Sequence, residues 1–492
     1  MAKKLINSSL FLKILNGLVP FLSWLIITLP LWLSPFHPAV VAYFIIVFDI
    51  YFFYKSIITA YYAVLSYKEI LFHSKINYSK RLKKIKIPQS LEHFIIIPNY
   101  KEPLYKLEST IRSIVNNHYP YKNLNLVLAF EKRETEAVKK GRYLKNKFNQ
   151  FFKKIFLTYH PDLPHEEPGK ASNQTYAAKI IDQYVEKNNL DRKQIIITIC
   201  DADSHFSPNY FSYLTYTFLK DKQHDYHFYW APLLLYNNFW QLPLSIRIQA
   251  TLSSIVRLSF LSQKDKLIQI STYSTNLWLL KEVNFWDVNI IPEDWHIYLQ
   301  AFFKFGEKIK TIPLFTIING DAVYSGNLLK TFTNRYEQEK RWAWGVSDVG
   351  YALKRFFNTP QLNPLTKLKK ILFLIETHLL WPVSFFILTV SASIPPLINP
   401  TFKRTVLGFL LPKLSGIILT LSSLLLVLYI YLDIKIRQQT KMKINIFNVP
   451  FLFIQWYLLP IISFFFSSLP ALDAHTRILL GKKLKYKVTE KV

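Results

Sequence analysis

Apolar and polar positions divide the chain into membrane-like flanks around an enzyme-like middle. Ile14 to Leu33 is uncharged over twenty residues, enough at about 1.5 Å per helical residue to span a hydrocarbon core of roughly 30 Å. The run predicts a transmembrane anchor rather than a cleaved signal peptide. It is long, and it leads into Ser34-Pro35-Phe36-His37-Pro38 without a small-x-small cleavage pattern. A second span is predicted over Ala39 to Tyr67, interrupted by Asp49 and Lys55, and three more over Ile371 to Ile398, Leu414 to Leu432 and Ile444 to Leu472. Between the flanks, Glu92 to about Phe315 alternates short apolar runs with helical spacing, the pattern of a layered α/β domain with a largely parallel sheet. His93 to Pro98, Leu124 to Phe130, Lys154 to Tyr159 and Ile195 to Ile199 read as strands. Leu104 to Val115, Thr135 to Asn149 and Lys170 to Glu186 read as helices.

This pattern divides the chain into a membrane hairpin (1–67), an enzyme domain (68–345), an amphipathic interfacial helix (346–368), a membrane region (369–475) and a basic tail (476–492). The formal charge of +29 would suggest nucleic acid in a soluble protein. Here much of the lysine lies beside apolar segments, so the positive-inside effect accounts for it and no nucleic-acid partner is expected. Lys3, Lys4, Lys80 to Lys86 and Lys435 to Lys443 share one side if the spans form hairpins, which sets the expected enzyme domain on the cytosolic face of the cell membrane. Lys482, Lys483, Lys485 and Lys487 join that side if Pro450, Pro460 and Pro470 bend the last apolar stretch back on itself. Cys200 is the only cysteine, so no intramolecular disulfide forms, and its apolar context predicts a buried structural thiol.

In an open α/β sheet, ligands lie beyond the carboxyl ends of the strands. That directs attention to Asn99-Tyr100-Lys101-Glu102, to Glu131-Lys132-Arg133 and to Asp201-Ala202-Asp203. Asp201 and Asp203 are two apart, so a continuing strand would turn both toward one divalent cation, or toward a cation and a ribose; the plain alternative is a polar strand end entering a turn. Glu293-Asp294 opens a helical run and by itself reads as N-terminal capping. Lys170 follows Gly169 at another helix start, where its ammonium and the helix end can face a phosphate. In Gln338-Glu339-Lys340-Arg341-Trp342, the guanidinium suits a diphosphate and the indole suits a sugar ring, against a simple membrane-surface helix. His160, His165, Glu166 and Glu167 are irregularly spaced and read as a solvated loop.

IIIPNYKE, GKASN, ICDADS, IPEDW and QEKRW, in that order over Glu92 to Gly345, resemble the family-two glycosyltransferases of the GT-A fold, in particular the membrane-embedded processive branch of cellulose, hyaluronan and chitin synthases. The resemblance implies a GT-A-like, Rossmann-like α/β cytosolic domain inserted between α-helical transmembrane segments. It implies a nucleotide-sugar donor, a glycan or lipid-linked acceptor, contact with membrane lipids, and Mg2+ or Mn2+. Carried over residue by residue, it makes Asp294 the catalytic base of an inverting transfer, Asp203 the direct metal ligand with Asp201 beside it, and Lys170, Asp201, Asn99, Glu102, Glu131 and Arg341 the nucleotide-sugar contacts. Gln338 and Trp342 fall on the acceptor side. Three departures stand out: AFEKRET replaces the usual paired-aspartate turn and leaves Glu131 as its substitute, Ser271 to Asn276 only weakly represents the acceptor floor, and His296 follows the base motif. Single-sugar transfer to a lipid-linked acceptor is the enzyme alternative. A transporter, prompted by Asp49, Lys55, Glu376 and His378 in or near spans, and a catalytically silent subunit are the others.

Overall fold

The computed structural model describes residues 9–439, 450 and 454–484. Lys3, Lys4, Lys485, Lys487, part of Lys435 to Lys443 and most of Ile444 to Ile454 lie outside the described residues. The described chain forms two compact units. Among the described residues, one draws on the chain up to Tyr67, on Trp240–Ser259 and on the chain from Val323, the other on Lys68–Phe239 and Phe260–Ala322. Two stretches inside the expected 68–345 domain, Trp240–Ser259 and the chain from Val323, therefore group with the membrane-type helices.

The second unit is built on a seven-stranded sheet. Its strands are β1 (Glu92–Asn99), β2 (Leu124–Glu131), β3 (Lys154–His160), β4 (Ile195–Ile199), β6 (His227–Trp230), β8 (Tyr273–Asn276) and β9 (Lys310–Pro313), in the order β3-β2-β1-β4-β8-β6-β9. The four predicted strands are its parallel half, and Ile95, Ile96 and Ile97 at its centre are completely buried, as expected of a strand covered on both faces. β8 then runs antiparallel to both β4 and β6, so the sheet is mixed. A small second sheet pairs β10 (Ile318–Asn319) with β5 (His205–Phe206) and β7 (Leu233–Leu234).

The predicted helices form at Leu104–Val115, Ala137–Phe148 and Lys170–Lys187. Leu107, Ile111 and Ile114 give the first its buried stripe at helical spacing. The last packs across β1 to β3, with Tyr184 meeting Phe94 and Phe156 at ring distances of 6.1 and 5.0 Å. Gly141 allows the middle helix to approach the sheet, since a Cβ there would lie 2.8 Å from the Tyr159 hydroxyl. These contacts fix the strand ends from which the site is built.

The first unit holds helices long and apolar enough to cross a membrane: Leu10–Leu33, Pro38–Ser74 (whose last residues pass into the second unit), Pro364–Thr389, Val406–Gln438 and Gln455–Leu479. The last includes a π-helical turn at Phe464–Ser468, and Gln249 Nε2 donates to the Phe466 carbonyl there. Asp49, Lys55 and Glu376, which lie within or beside spans, have partners. The Ser415 hydroxyl donates to Asp49 at 2.5 Å, and Lys55 and Tyr51 both bind Glu376.

The single interfacial helix expected over 346–368 is instead two helices. One ends at Asn358 and the next begins at Pro364. Pro360 disfavours helical geometry at Thr359, Asn363 caps the new helix through Leu365 N, and Lys367 Nζ donates to the Phe356 and Thr359 carbonyls that the first helix leaves open.

Candidate active site

Three segments distant in sequence converge on one ammonium group. Lys170 begins its helix directly after Gly169, and its side chain, 18% exposed, brings Nζ to 2.8 Å from Asp201 Oδ1, 2.9 Å from Glu293 Oε1 and 3.8 Å from Asp294 Oδ1. It also donates to the Ser271 carbonyl at 3.2 Å. Burial opposes the Lys170 charge, but Asp201, Glu293 and Asp294 outweigh it and hold the ammonium well above its usual range. Asp294 is raised well above the ordinary carboxylate value, first by burial and then by the charge of Glu293, with Lys170 pulling the other way. One cation facing three carboxylates leaves an acidic site.

The segment before β8 ties these acids together. Ser271 N donates to Asp294 Oδ2 at 2.6 Å, and the Ser271 hydroxyl donates to Asp201 Oδ2. Ser271 adopts a φ of 69°, a region non-glycine residues rarely enter. Gln269 Nε2 donates to the Asp294 carbonyl at 3.0 Å, and Asp201 N donates to Thr272 Oγ1 at 3.2 Å. Trp230 Nε1 anchors the Ile270 carbonyl at 2.8 Å. Ser271, Thr272 and Gln269 were not among the predicted site residues. The available signal was the run of hydroxyl side chains from Ser271, but its contacts depend on β8 pairing antiparallel with β4.

Asp201 and Asp203 do not continue a strand: β4 ends at Ile199 and Ser204 N closes a turn onto the Asp201 carbonyl at 3.0 Å. Asp203 is buried on different partners. Its Oδ2 accepts from Asp321 N at 3.2 Å, and Asp321 is paired with Lys106 at 2.8 Å. Among the described residues, no three His, Cys, Asp or Glu groups are gathered as a metal cage. The oxygen donors of this turn fit a cation of the Mg2+ or Mn2+ type, which takes one or two carboxylates and completes its shell with substrate phosphate and water.

The other predicted residues of the second unit have contacts of their own. Asn99 is buried and donates to the Ile97 and Ala129 carbonyls, at 3.3 and 3.2 Å, tying β1 to β2. The Glu102 carbonyl accepts from Lys140 at 2.8 Å. Glu131, buried at the end of β2, pairs with Arg133, whose guanidinium lies 4.1 Å from the Tyr100 ring centre; burial raises its carboxyl against the pull of Arg133. His160 corrects the solvated-loop expectation, since it is buried and bound to Glu166 at 2.8 Å. His296 Nε2 lies 2.9 Å from Asp287 Oδ2. Cys200 is buried, as expected, and its thiol is pushed up by burial and by Asp201 and Asp203.

Gln338, Arg341 and Trp342 stand on the Leu328–Ala343 helix of the first unit. Gln338 Oε1 and Glu339 Oε1 both accept from Arg335, and Gln249 Nε2 donates to Glu339 at 2.8 Å. Trp342 is flanked by Arg335 and Arg257, 4.9 and 5.6 Å from its ring centre.

The acidic cluster lies beyond the end of β4, the place where an open α/β sheet receives its ligand. The sequence model of the glycosyl transferase family group 2 matches residues 196–467 of the 492, more than half of the chain. The chain belongs to that family and is a glycosyltransferase. Similar solved structures include the mannosyltransferase PcManGT from Pyrobaculum calidifontis in complex with GDP-Man and Mn2+, at 12% identity, TM-score 0.40, covering 79% of this chain and 99% of that one. They also include residues 1–349 of S. aureus TarS in complex with UDP-GlcNAc, at 12% identity, TM-score 0.39, covering 71% and 92%. No curated protein matches the sequence.

Replacing Lys170 with Met leaves three acids facing one another without their cation, and breaking such a pair costs about 3–5 kcal/mol. The expected result is a large drop in unfolding temperature in detergent, partly recovered by adding Asp201→Asn. An unchanged unfolding temperature counts against Lys170 as the centre of the cluster.

Proposed function

We propose that the chain is an inverting glycosyltransferase of the cell membrane that takes a sugar from a nucleotide-sugar on the cytosolic face and adds it processively to a growing polysaccharide. The observation that carries this reading is the meeting of Asp201, Glu293 and Asp294 at the Lys170 ammonium. Asp294 takes the proton of the acceptor hydroxyl as that oxygen bonds to the anomeric carbon. The bond from that carbon to the diphosphate breaks with it, from the opposite face, which inverts the centre. Asp203 and Asp201 would hold Mg2+ or Mn2+, which when bound supplies charge neutralisation for the diphosphate. Lys170 is poised to move from the carboxylates to a phosphate. By the family resemblance, Asn99, Glu102, Glu131 and Arg341 would contact the nucleotide-sugar and Trp342 the acceptor, while Gln338, also an acceptor-side residue in that resemblance, is held by Arg335 and secures the helix that carries Trp342.

A second reading, transfer of one sugar to a lipid-linked acceptor, draws support from an apolar cavity of about 460 Å³ in the first unit, lined by residues including Phe332, Tyr336, Ile461, Ile462, Phe465 and Phe466. That volume lies within the range of small-molecule sites, about 300–1,000 Å³.

Asp294→Asn is expected to retain donor binding while losing at least about a thousandfold in turnover, because its role exists only in the transfer step. As Asp294 works ionised and its carboxyl is raised, turnover falls as pH drops through that raised value. Glu293→Gln removes a like charge, so the acid limb of the pH–rate profile moves to lower pH; a limb that stays in place assigns the base elsewhere. Asp203→Asn is expected to weaken Mn2+-supported nucleotide binding at least tenfold, since an amide lacks the anionic oxygen a hard cation prefers. Nucleotide affinity that keeps its full metal dependence moves the metal site away from Asp203. Trp342→Ala is expected to shorten products, read by mass analysis, with donor affinity unaltered. Single-sugar products from the unaltered chain favour the lipid-linked reading.

A further inference from the structure

Ser271 uses two different atoms on two different acids. Its backbone N–H donates to Asp294 and its hydroxyl to Asp201, while φ at 69° aims both groups into the cluster. The geometry is held from outside. The Ile270 carbonyl is pinned by Trp230 and the Thr272 hydroxyl by Asp201 N and Ser204. An unpinned serine would relax to negative φ and release both contacts. We propose that Ser271 is a positioning residue whose hydroxyl orients Asp201 for the donor and whose N–H independently orients Asp294 for proton removal. The inference rests on the glycosyltransferase roles proposed above for Asp201 and Asp294.

The two contacts separate by mutation. Glycine adopts positive φ without a side-chain penalty and keeps the N–H, so Ser271→Gly deletes only the hydroxyl tether. The test measures binding of UDP and of GDP, each with Mn2+, to the full chain in detergent, together with turnover of the nucleotide-sugar it hydrolyses. Ser271→Gly is expected to weaken binding of the cognate nucleotide about fivefold and raise KM for the donor, with kcat within twofold. In an Asp201→Ala background the same substitution is expected to add nothing, because the hydroxyl no longer has its partner. An equal further loss in that background, or a fall in kcat with unaltered KM, overturns the tether. So does nucleotide affinity equal to that of the unaltered chain. Full turnover by Asp294→Asn removes the base reading while leaving the Ser271 to Asp201 tether to stand on the binding data; an unaltered chain that binds neither nucleotide removes both.

Discussion

The candidate site depends on placing one ammonium among three carboxylates. Lys170, Asp201 and the Glu293-Asp294 pair come from a helix start, a strand-end turn and a second helix start. Carboxylates this close repel one another. At an effective dielectric of about 20, two unit charges 4 Å apart interact by about 4 kcal/mol. Without Lys170 the chain would have to neutralise or separate these acids. With it, they remain together and available to a donor that brings its own cation and phosphates. Paired buried charge is poor evidence for stability, so the arrangement is better understood as a device for position than for fold strength.

Position requires a rigid frame, and the frame here is the segment leading into β8. A residue such as Ser271 at φ 69° costs on the order of 1–3 kcal/mol and persists only where its surroundings over-determine it. They do so through bonds on both sides: Gln269 to Asp294, Trp230 to the Ile270 carbonyl, Thr272 to Asp201 and Ser204, and Trp286 Nε1 to the Tyr273 hydroxyl. Because β8 is antiparallel to β4, its start lies beside the end of β4. The acids after β4 and the serine before β8 thus share one end of the sheet.

The parallel half of the fold was legible because its strands are continuous apolar runs and the helices between them show regular spacing. Ile195–Ile199 and Leu104–Val115 form over the predicted residues. The antiparallel half was not, since β6, β8 and β9 are four residues each, too short for periodicity to register. The site divided along the same line. Lys170, Asp201 and Asp294 were readable from motifs at element ends, whereas Ser271 acquires its contacts only through strand pairing. Asp201 and Asp203 were read as continuing a strand that stops at Ile199, so their different partners, Lys170 and Asp321 N, could not be foreseen. The break between the helices ending at Asn358 and starting at Pro364 does have a sequence signal in Pro360, which the expectation of one helix over 346–368 ran through.

In the first unit, pairing also distinguishes structural charge from charge that remains usable. A polar group in an apolar helix bundle is costly unless partnered, and the Lys55 to Glu376, Asp433 to Arg437 and Asp49 to Ser415 contacts meet that requirement locally. These groups therefore need no transport pathway to explain them. The same accounting divides the QEKRW run. Gln338 and Glu339 are buried and spent on Arg335, and Lys340 is buried against Glu337 and Asp473. Arg341 and Trp342 are the two residues of the run that remain partly exposed. With Arg335 and Arg257 flanking the indole, Trp342 is held in orientation rather than free to swing. A fixed aromatic face beside a partly exposed guanidinium is the chemistry on which the acceptor role proposed for this helix would rest; the first three residues secure the helix that presents it.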